Sequence, residues 1–117
     1  VAHPTLSIGP YVVGEIPAAL EYQFLDAGGN PLNLTGYTAK FQWGRRDATA
    51  TFVDAVTVNA VVTDGPNGKI TRNWDGTEFL IQGDYAGMFW VGNGTNRFAS
   101  LLIEWDTCLA VNTPPVI

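Results

Sequence analysis

The sequence predicts an all-β fold: an immunoglobulin-like antiparallel β-sandwich of about seven strands with extended N- and C-terminal arms. Three observations lead there. Tyr37-Thr38-Ala39-Lys40-Phe41-Gln42-Trp43 alternates strictly, so Tyr37, Ala39, Phe41 and Trp43 share one face and Thr38, Lys40 and Gln42 the other. A strand turns every second side chain to the same side, so one face is buried and one is wet. The same grammar recurs along the chain with turn signals between the segments. Thirteen glycines and seven prolines in 117 residues suit a turn-rich protein, and a 46% hydrophobic share supplies a core for one domain, residues 1–117.

The elements follow in order. Ile8 to Val13 reads as an edge strand, because Pro10 lacks a ladder donor. Ala19 to Leu25 is the second strand, with Leu20, Tyr22 and Phe24 inward. Asp26 to Pro31 is a turn, and Leu32 and Leu34 lead into the Tyr37 strand, with Gly36 permitting the bend. Gly44 to Thr51 reads as a polar loop carrying Arg45, Arg46 and Asp47. Ala55 to Thr63 is a valine-rich strand. Asp64-Gly65-Pro66-Asn67-Gly68 is the sharpest turn, with Asn67-Gly68 supplying positive φ angles. Lys69 to Trp74 returns with Ile70 and Trp74 on one face. Asp75 to Gly83 is a crossing connection with a short helical turn. Asp84 to Val91 is a strand with Tyr85, Phe89 and Val91 on one face, and Tyr85 is expected to act as a tyrosine corner. Gly92 to Asn96 closes a hairpin into a strand from Arg97 to Trp105. The arms span about residues 1–7 and 107–117.

Charge and cysteine content narrow the function. A net charge of -5 with six scattered cations argues against a nucleic-acid surface and against attraction to an anionic membrane. Cys108 is the single cysteine, so no intrachain disulfide and no cysteine zinc site is expected. The segment from Val1 to Pro10 lacks the charged and apolar regions of a signal peptide, and no apolar run spans a bilayer.

No constellation points to catalysis, and no cofactor or metal is expected. His3 is the single histidine; Ser7 is too near it in sequence for a designed pair, and Ser100 lies within a strand. Asp75 and Glu78 lie in a connection, and Asp26, Asp64 and Asp84 at turns or strand entries, where Asp usually serves the turn. Glu104 alternates with Leu102. The sequons at Asn33 and Asn93 read as turn residues.

The aromatic pattern is the stronger signal. Ala86, Met88 and Trp90 share one face of their strand, while Tyr85, Gly87, Phe89 and Val91 share the other, and both faces are apolar. Ala99, Leu101, Ile103 and Trp105 oppose Phe98 and Leu102 in the same way. A free two-layer sandwich keeps one face of each strand polar. A second covered face is therefore expected, with Met88, Trp90, Leu101, Ile103, Trp105, Arg45 and Arg46 as the contact set. The chain's own tail is the other candidate cover.

Four segments together carry a resemblance: Tyr11 to Trp43, Val62 to Trp74, Gly83 to Val91 and Asn96 to Ser100. Within them DAGGNPLNLTGYT, NGKITRNW and GDYAGMF follow one another in order. This order resembles the N-terminal domain of the bacteriophage baseplate upper protein family, with Gly83 standing where that family often has Pro-Gly. The resemblance implies a β-sandwich docking module in a phage virion, in the tail or baseplate or as a decoration protein on the capsid surface. It implies other phage structural proteins as partners, self-association and no catalysis. Gly36, Tyr37, Phe41, Trp43, Asn67, Gly68, Trp74, Tyr85 and Phe89 are then turn and core residues. The competing expectation is a carbohydrate-binding module, with Trp43, Trp74 and Trp90 as a platform for sugar rings.

Overall fold

A computed structural model describes residues 5–110 apart from 48 and 50. His3 and most of the expected C-terminal arm lie outside the described residues. Nine strands are described: β1 Thr5–Ser7, β2 Tyr11–Val12, β3 Leu20–Gln23, β4 Thr38–Arg46, β5 Phe52–Asp64, β6 Lys69–Arg72, β7 Gly83–Gly92, β8 Arg97–Ala99 and β9 Leu102–Cys108. A 3₁₀ turn, Thr77–Phe79, sits in the crossing between β6 and β7, where a short helical turn is expected.

The strands form one curled sheet in the order β1-β9-β7-β4-β5-β6-β3, with β2 also on β9 and β8 also on β7. It is mixed rather than wholly antiparallel, because β1 and β2 run parallel to β9. Thr5 to Ser7, expected in a free arm, is thus an edge strand, interrupted from β2 at Gly9-Pro10. Likewise Thr107 and Cys108 end β9 rather than begin an arm.

The curl comes from β5, thirteen residues long. Phe52 to Ala60 pairs with β4, whereas Val61 to Asp64 pairs with β6. The sheet thereby curls, and side chains of β3 and of the segment after β6 meet those of β4, β7 and β9. Tyr22 on β3 meets Phe89 on β7 at 5.9 Å, and Trp74 beyond β6 meets Trp105 on β9 at 5.7 Å. Phe41 and Phe89 pack at 4.9 Å between them. Phe24, Leu34, Ile70, Phe79, Tyr85, Val91 and Ile103 complete this core. Aromatic pairs at such distances add to the area they bury.

The alternation of Tyr37 to Trp43 behaves as its pattern requires: Ala39 and Phe41 are buried, Tyr37 and Trp43 half-buried, and Thr38, Lys40 and Gln42 exposed. Tyr37 stacks on Phe98 at 6.2 Å. The strand continues through Gly44, Arg45 and Arg46, which sequence patterning assigns to a loop. A bulge between Trp43 and Arg45 carries it on, opposite Asp54 with φ +54°. The bulge restores pairing after the apolar alternation ends, which is why alternation alone stops short.

The β5–β6 turn closes with Gly68 at φ +68°, its N–H donating to Gly65 O at 3.0 Å. Asn67 has no positive φ; its Nδ2 instead donates to Asp64 Oδ2 at 2.8 Å. A Cβ on Gly68 would lie 2.6 Å from Leu32 O and 2.7 Å from Phe24 O, so the backbone itself excludes a side chain there. Gly36 holds the bend before β4 at φ +83°.

Candidate interaction surface

The surface is built on β7, whose two faces are both apolar. Inward, Tyr85, Phe89 and Val91 are buried in the core. Tyr85 stacks on Trp105 at 5.8 Å, and its hydroxyl donates to Ile81 O at 2.6 Å. Burial raises that hydroxyl's pKa above the usual tyrosine value. The ring is thus buried and the hydroxyl is tied to the backbone of the crossing segment. Gly87 continues this inner face because Phe41 and Trp43 cross directly over it: a Cβ would meet Phe41 Cζ at 2.8 Å and Gln42 O at 2.9 Å.

Outward, β7 presents Ala86, Met88 and Trp90, with Met88 and Trp90 half-buried. Trp90 has neighbours on β4 and β8. Its Nε1 donates to Gln42 Oε1 at 3.2 Å. Lys40 is its cross-strand partner on β4. Arg97 on β8 places its guanidinium carbon 6.0 Å from the ring centroid. Beside Met88 lies a cavity of about 260 Å³ lined by Gln42, Phe52, Ala86, Met88 and Leu102 among others. A patch that combines tryptophan, methionine and arginine around a hollow has the composition of interface hot spots.

Toward the other end of this face, Arg46 is fixed by two carboxylates. Its Nη2 donates to Asp84 Oδ1 at 3.2 Å and its Nη1 to Glu104 Oε1 at 3.4 Å. Arg46 is therefore a strand-to-strand tie, not a free loop cation. Arg45 is exposed in β4.

Ile103 and Trp105, expected on the contact face, belong to the core instead: they are 0% and 2% exposed. The reason is a break in what patterning reads as one strand. At Ser100 and Leu101 the chain leaves β8 and begins β9. Ser100 bridges the gap: its N–H donates to Phe89 O at 2.9 Å, and its Oγ accepts from Phe89 N–H at 2.8 Å. The break shifts the phase of alternation. Phe98 faces inward with Val91, and after the break Ile103, Trp105 and Thr107 face inward while Leu102 and Glu104 face outward. Leu101 is exposed at the break, and its N–H donates to Tyr22 Oη at 3.3 Å.

The tryptophan platform does not assemble. Trp74 is 7% exposed in the core, and Trp43 faces Tyr85 at 5.9 Å on the inner side. Trp90 alone lies on the outer face.

The carboxylates singled out from sequence sit in turns or ion pairs. Asp26 Oδ1 accepts from Gly28 N and Asn30 N. Asp75 accepts from the hydroxyl and N–H of Thr77, which hold its carboxyl down to about 2. Asp64 takes Asn67, and Asp84 and Glu104 share Arg46. Asn33 Oδ1 accepts from Thr35, and Asn93 Oδ1 from Thr95 N and Asn96 N, both as turn residues.

Sequence patterning misses one constellation. Arg72 and Glu78 form a buried ion pair, 7% and 0% exposed. Arg72 Nε and Nη2 both donate to Glu78 Oε2, and Nη1 donates to Asn59 O at 3.1 Å. The last contact takes the β5 carbonyl just where pairing with β6 ends. The signal is present in the sequence: if Ile70 and Trp74 face inward, Arg72 does too. An inward cation requires a buried partner.

Among the described residues no group of three His, Cys, Asp or Glu side chains is placed to hold a metal, and no helix is long and apolar enough to cross a membrane. No family model matches this chain, and comparison with curated proteins finds no match.

Proposed function

We propose that this chain is an accessory structural protein of a bacteriophage virion, a docking module for protein–protein assembly in the tail or baseplate or on the capsid surface. The observation that carries the docking reading is β7, apolar on both faces, with Met88 and Trp90 half-buried on the outer one beside a cavity. An outer sheet face of this kind costs solubility unless something covers it. The virion setting rests on the motif resemblance. It implies phage structural proteins as partners, and self-association as a further mode of assembly.

The fold reading is an immunoglobulin-like sandwich. Its supports are the order β1-β9-β7-β4-β5-β6-β3, the parallel pairing of the first strands with the last, and Tyr85 at the entry to β7. In this reading β5 serves both layers, and the crossing before β7 is the corner that the tyrosine ties.

Quantitative mass spectrometry of purified particles of the phage that encodes the chain tests the proposal. Hundreds of copies place it on the head as a decoration protein; a few to a few tens place it in the tail or baseplate. Complete absence from particles overturns the virion role.

A further inference from the structure

We propose that the open edge of β5 pairs with the same edge of a second copy of this chain, antiparallel about a two-fold axis at Thr57. The inference rests on the self-association half of the proposed function and gives it a surface, on β5 rather than on the outer face of β7.

The topology leaves the edge open. β5 lies between β4 and β6, yet β6 borders it only over Val61 to Asp64, before the chain leaves β6 for the core at Trp74. Among the described residues, Phe52 to Ala60 pair with β4 on one side and with no strand on the other. Arg72, on the β6 side, takes Asn59 O, so the Asn59 carbonyl points away from β4. Hydrogen-bonded and non-hydrogen-bonded positions alternate along an antiparallel pair, so Thr57 turns its N–H and C=O the same way. Unpaired ladder groups of this kind are a template for another strand.

The side chains fit a second copy. Edges are commonly guarded by proline or charge, and Ala55-Val56-Thr57-Val58-Asn59 carries neither. In a chain of net charge -5, copies meet most readily along an uncharged stretch. The bulge beside Asp54 bounds this stretch at one end and β6 at the other, and Thr57 is its middle. Pairing about Thr57 is self-complementary. It sets Val56, 41% exposed, against the second copy's Val58 on the side of the strand that faces the core, and Ala55 against the second copy's Asn59. Charge agrees with this register. Lys40 leans to β5, where its Nζ donates to Asn59 Oδ1 at 2.6 Å. Asp54 is exposed and, like Lys40, in no ion pair among the described residues. The pairing brings Asp54 of each copy within one residue of the Asn59 that holds the other's Lys40.

Sedimentation velocity across a concentration series tests the proposal, with a dimer expected to form at about 10–100 µM, as suits a short ladder. Thr57→Lys sets two ammonium groups against each other across the axis and is expected to weaken the dimer about tenfold or more. Thr38→Lys makes the same charge change at an exposed position of β4 and is expected to stay within about twofold of wild type. In a Cys108→Ser background, Thr57→Cys is expected to form a disulfide-linked dimer under mild oxidation and Thr38→Cys is not, because directly opposed strand residues lie within disulfide reach. Circular dichroism of each variant checks that the fold is kept. A monomer throughout the series overturns the proposal. So does a dimer that Thr57→Lys leaves unchanged, or one that Thr57→Cys and Thr38→Cys trap equally, since the contact then lies elsewhere. The virion reading fails separately: absence from particles removes it and leaves the dimer standing, whereas a monomer that is found in particles removes only the β5 contact.

Discussion

Arg72 illustrates what a single residue decides in this fold. It points into the core between Ile70 and Trp74, where a lone charge is untenable, and Glu78 answers it from the crossing segment. Removing one partner leaves the other charged and buried. Glu78→Ala is therefore expected to destabilise by about 3–5 kcal/mol in urea melts. The double change Arg72→Met with Glu78→Leu is expected to cost less than the single one, because no orphan charge remains. A double variant less stable than Glu78→Ala would mean that the contacts to Asn59 and Asp75 matter more than the charge. Gly87 decides by absence. Phe41 and Trp43 occupy the space a methyl would need, so Gly87→Ala is expected to cost about 1–3 kcal/mol by thermal melting. An unchanged melting temperature would show that the strand yields there. At this scale the sequence is legible where alternation meets a hydrophobe, as at Phe41, and misleading where the same alternation delivers a charge. Arg72 follows the rule of the strand, but its partner lies six residues on, across a turn that no periodicity describes.

At the scale of elements, the sharpest event is the change of strand at Ser100. The run from Arg97 to Trp105 looks continuous because it holds no Gly, Pro, Asn or Asp to mark a turn. The break is made by one hydroxyl replacing a ladder acceptor, and hydroxyls carry no periodic signal. Its consequence is large: the phase moves, and Ile103 and Trp105 change from surface to core. Ser100→Ala leaves the Phe89 N–H without its acceptor and is expected to cost about 1–3 kcal/mol. Amide hydrogen exchange at Phe89 is expected to speed up selectively. If Phe89 stays as protected as its neighbours, the hydroxyl is not the bridge. The crossing between β6 and β7 offers a second test. Thr77, through its hydroxyl and then its N–H, depresses the Asp75 carboxyl to about 2, with Arg72 contributing less. A carboxyl depressed in the folded state stabilises above its ordinary value of 3.8 and loses that contribution as pH falls. Stability is thus expected to decline between about pH 4 and pH 2, and Asp75→Asn to flatten that part of the curve. Identical acid limbs for the two proteins would remove Asp75 from the account. The helical turn in this crossing is readable from Asp75 and Thr77, whose pairing is local; the buried state of Glu78 is not.

At the scale of the whole molecule, one end of the curled sheet is made by joining its first strands to its last, and that parallel pairing links residues about a hundred positions apart. Local pattern cannot announce such a contact, which is why an N-terminal segment reads as an arm when it is an edge strand. The doubly apolar character of β7 is legible, because both of its phases are visible within ten residues. Two tryptophans then separate folding from docking. Trp105 meets Phe41, Trp43, Trp74, Phe79 and Tyr85 in the core, whereas Trp90 is half-buried on the outer face, with Gln42 at its Nε1 and Arg97 over its ring. Trp105→Ala opens a cavity among five aromatic rings and is expected to cost about 3–5 kcal/mol, a large share of a small domain's stability. Trp90→Ala removes a side chain whose outer side faces solvent and is expected to cost about 1 kcal/mol, a fall of roughly 4 °C in Tm. Its effect on incorporation into particles is expected to be much greater, about tenfold or more, because a central aromatic residue carries a disproportionate share of an interface. The comparison is made by melting each purified variant and counting each in particles. If Trp90→Ala melts as low as Trp105→Ala, the outer tryptophan is a folding residue and the docking face must be sought elsewhere. If Trp90→Ala is stable yet incorporated like wild type, the outer face of β7 is not the surface through which this chain is held.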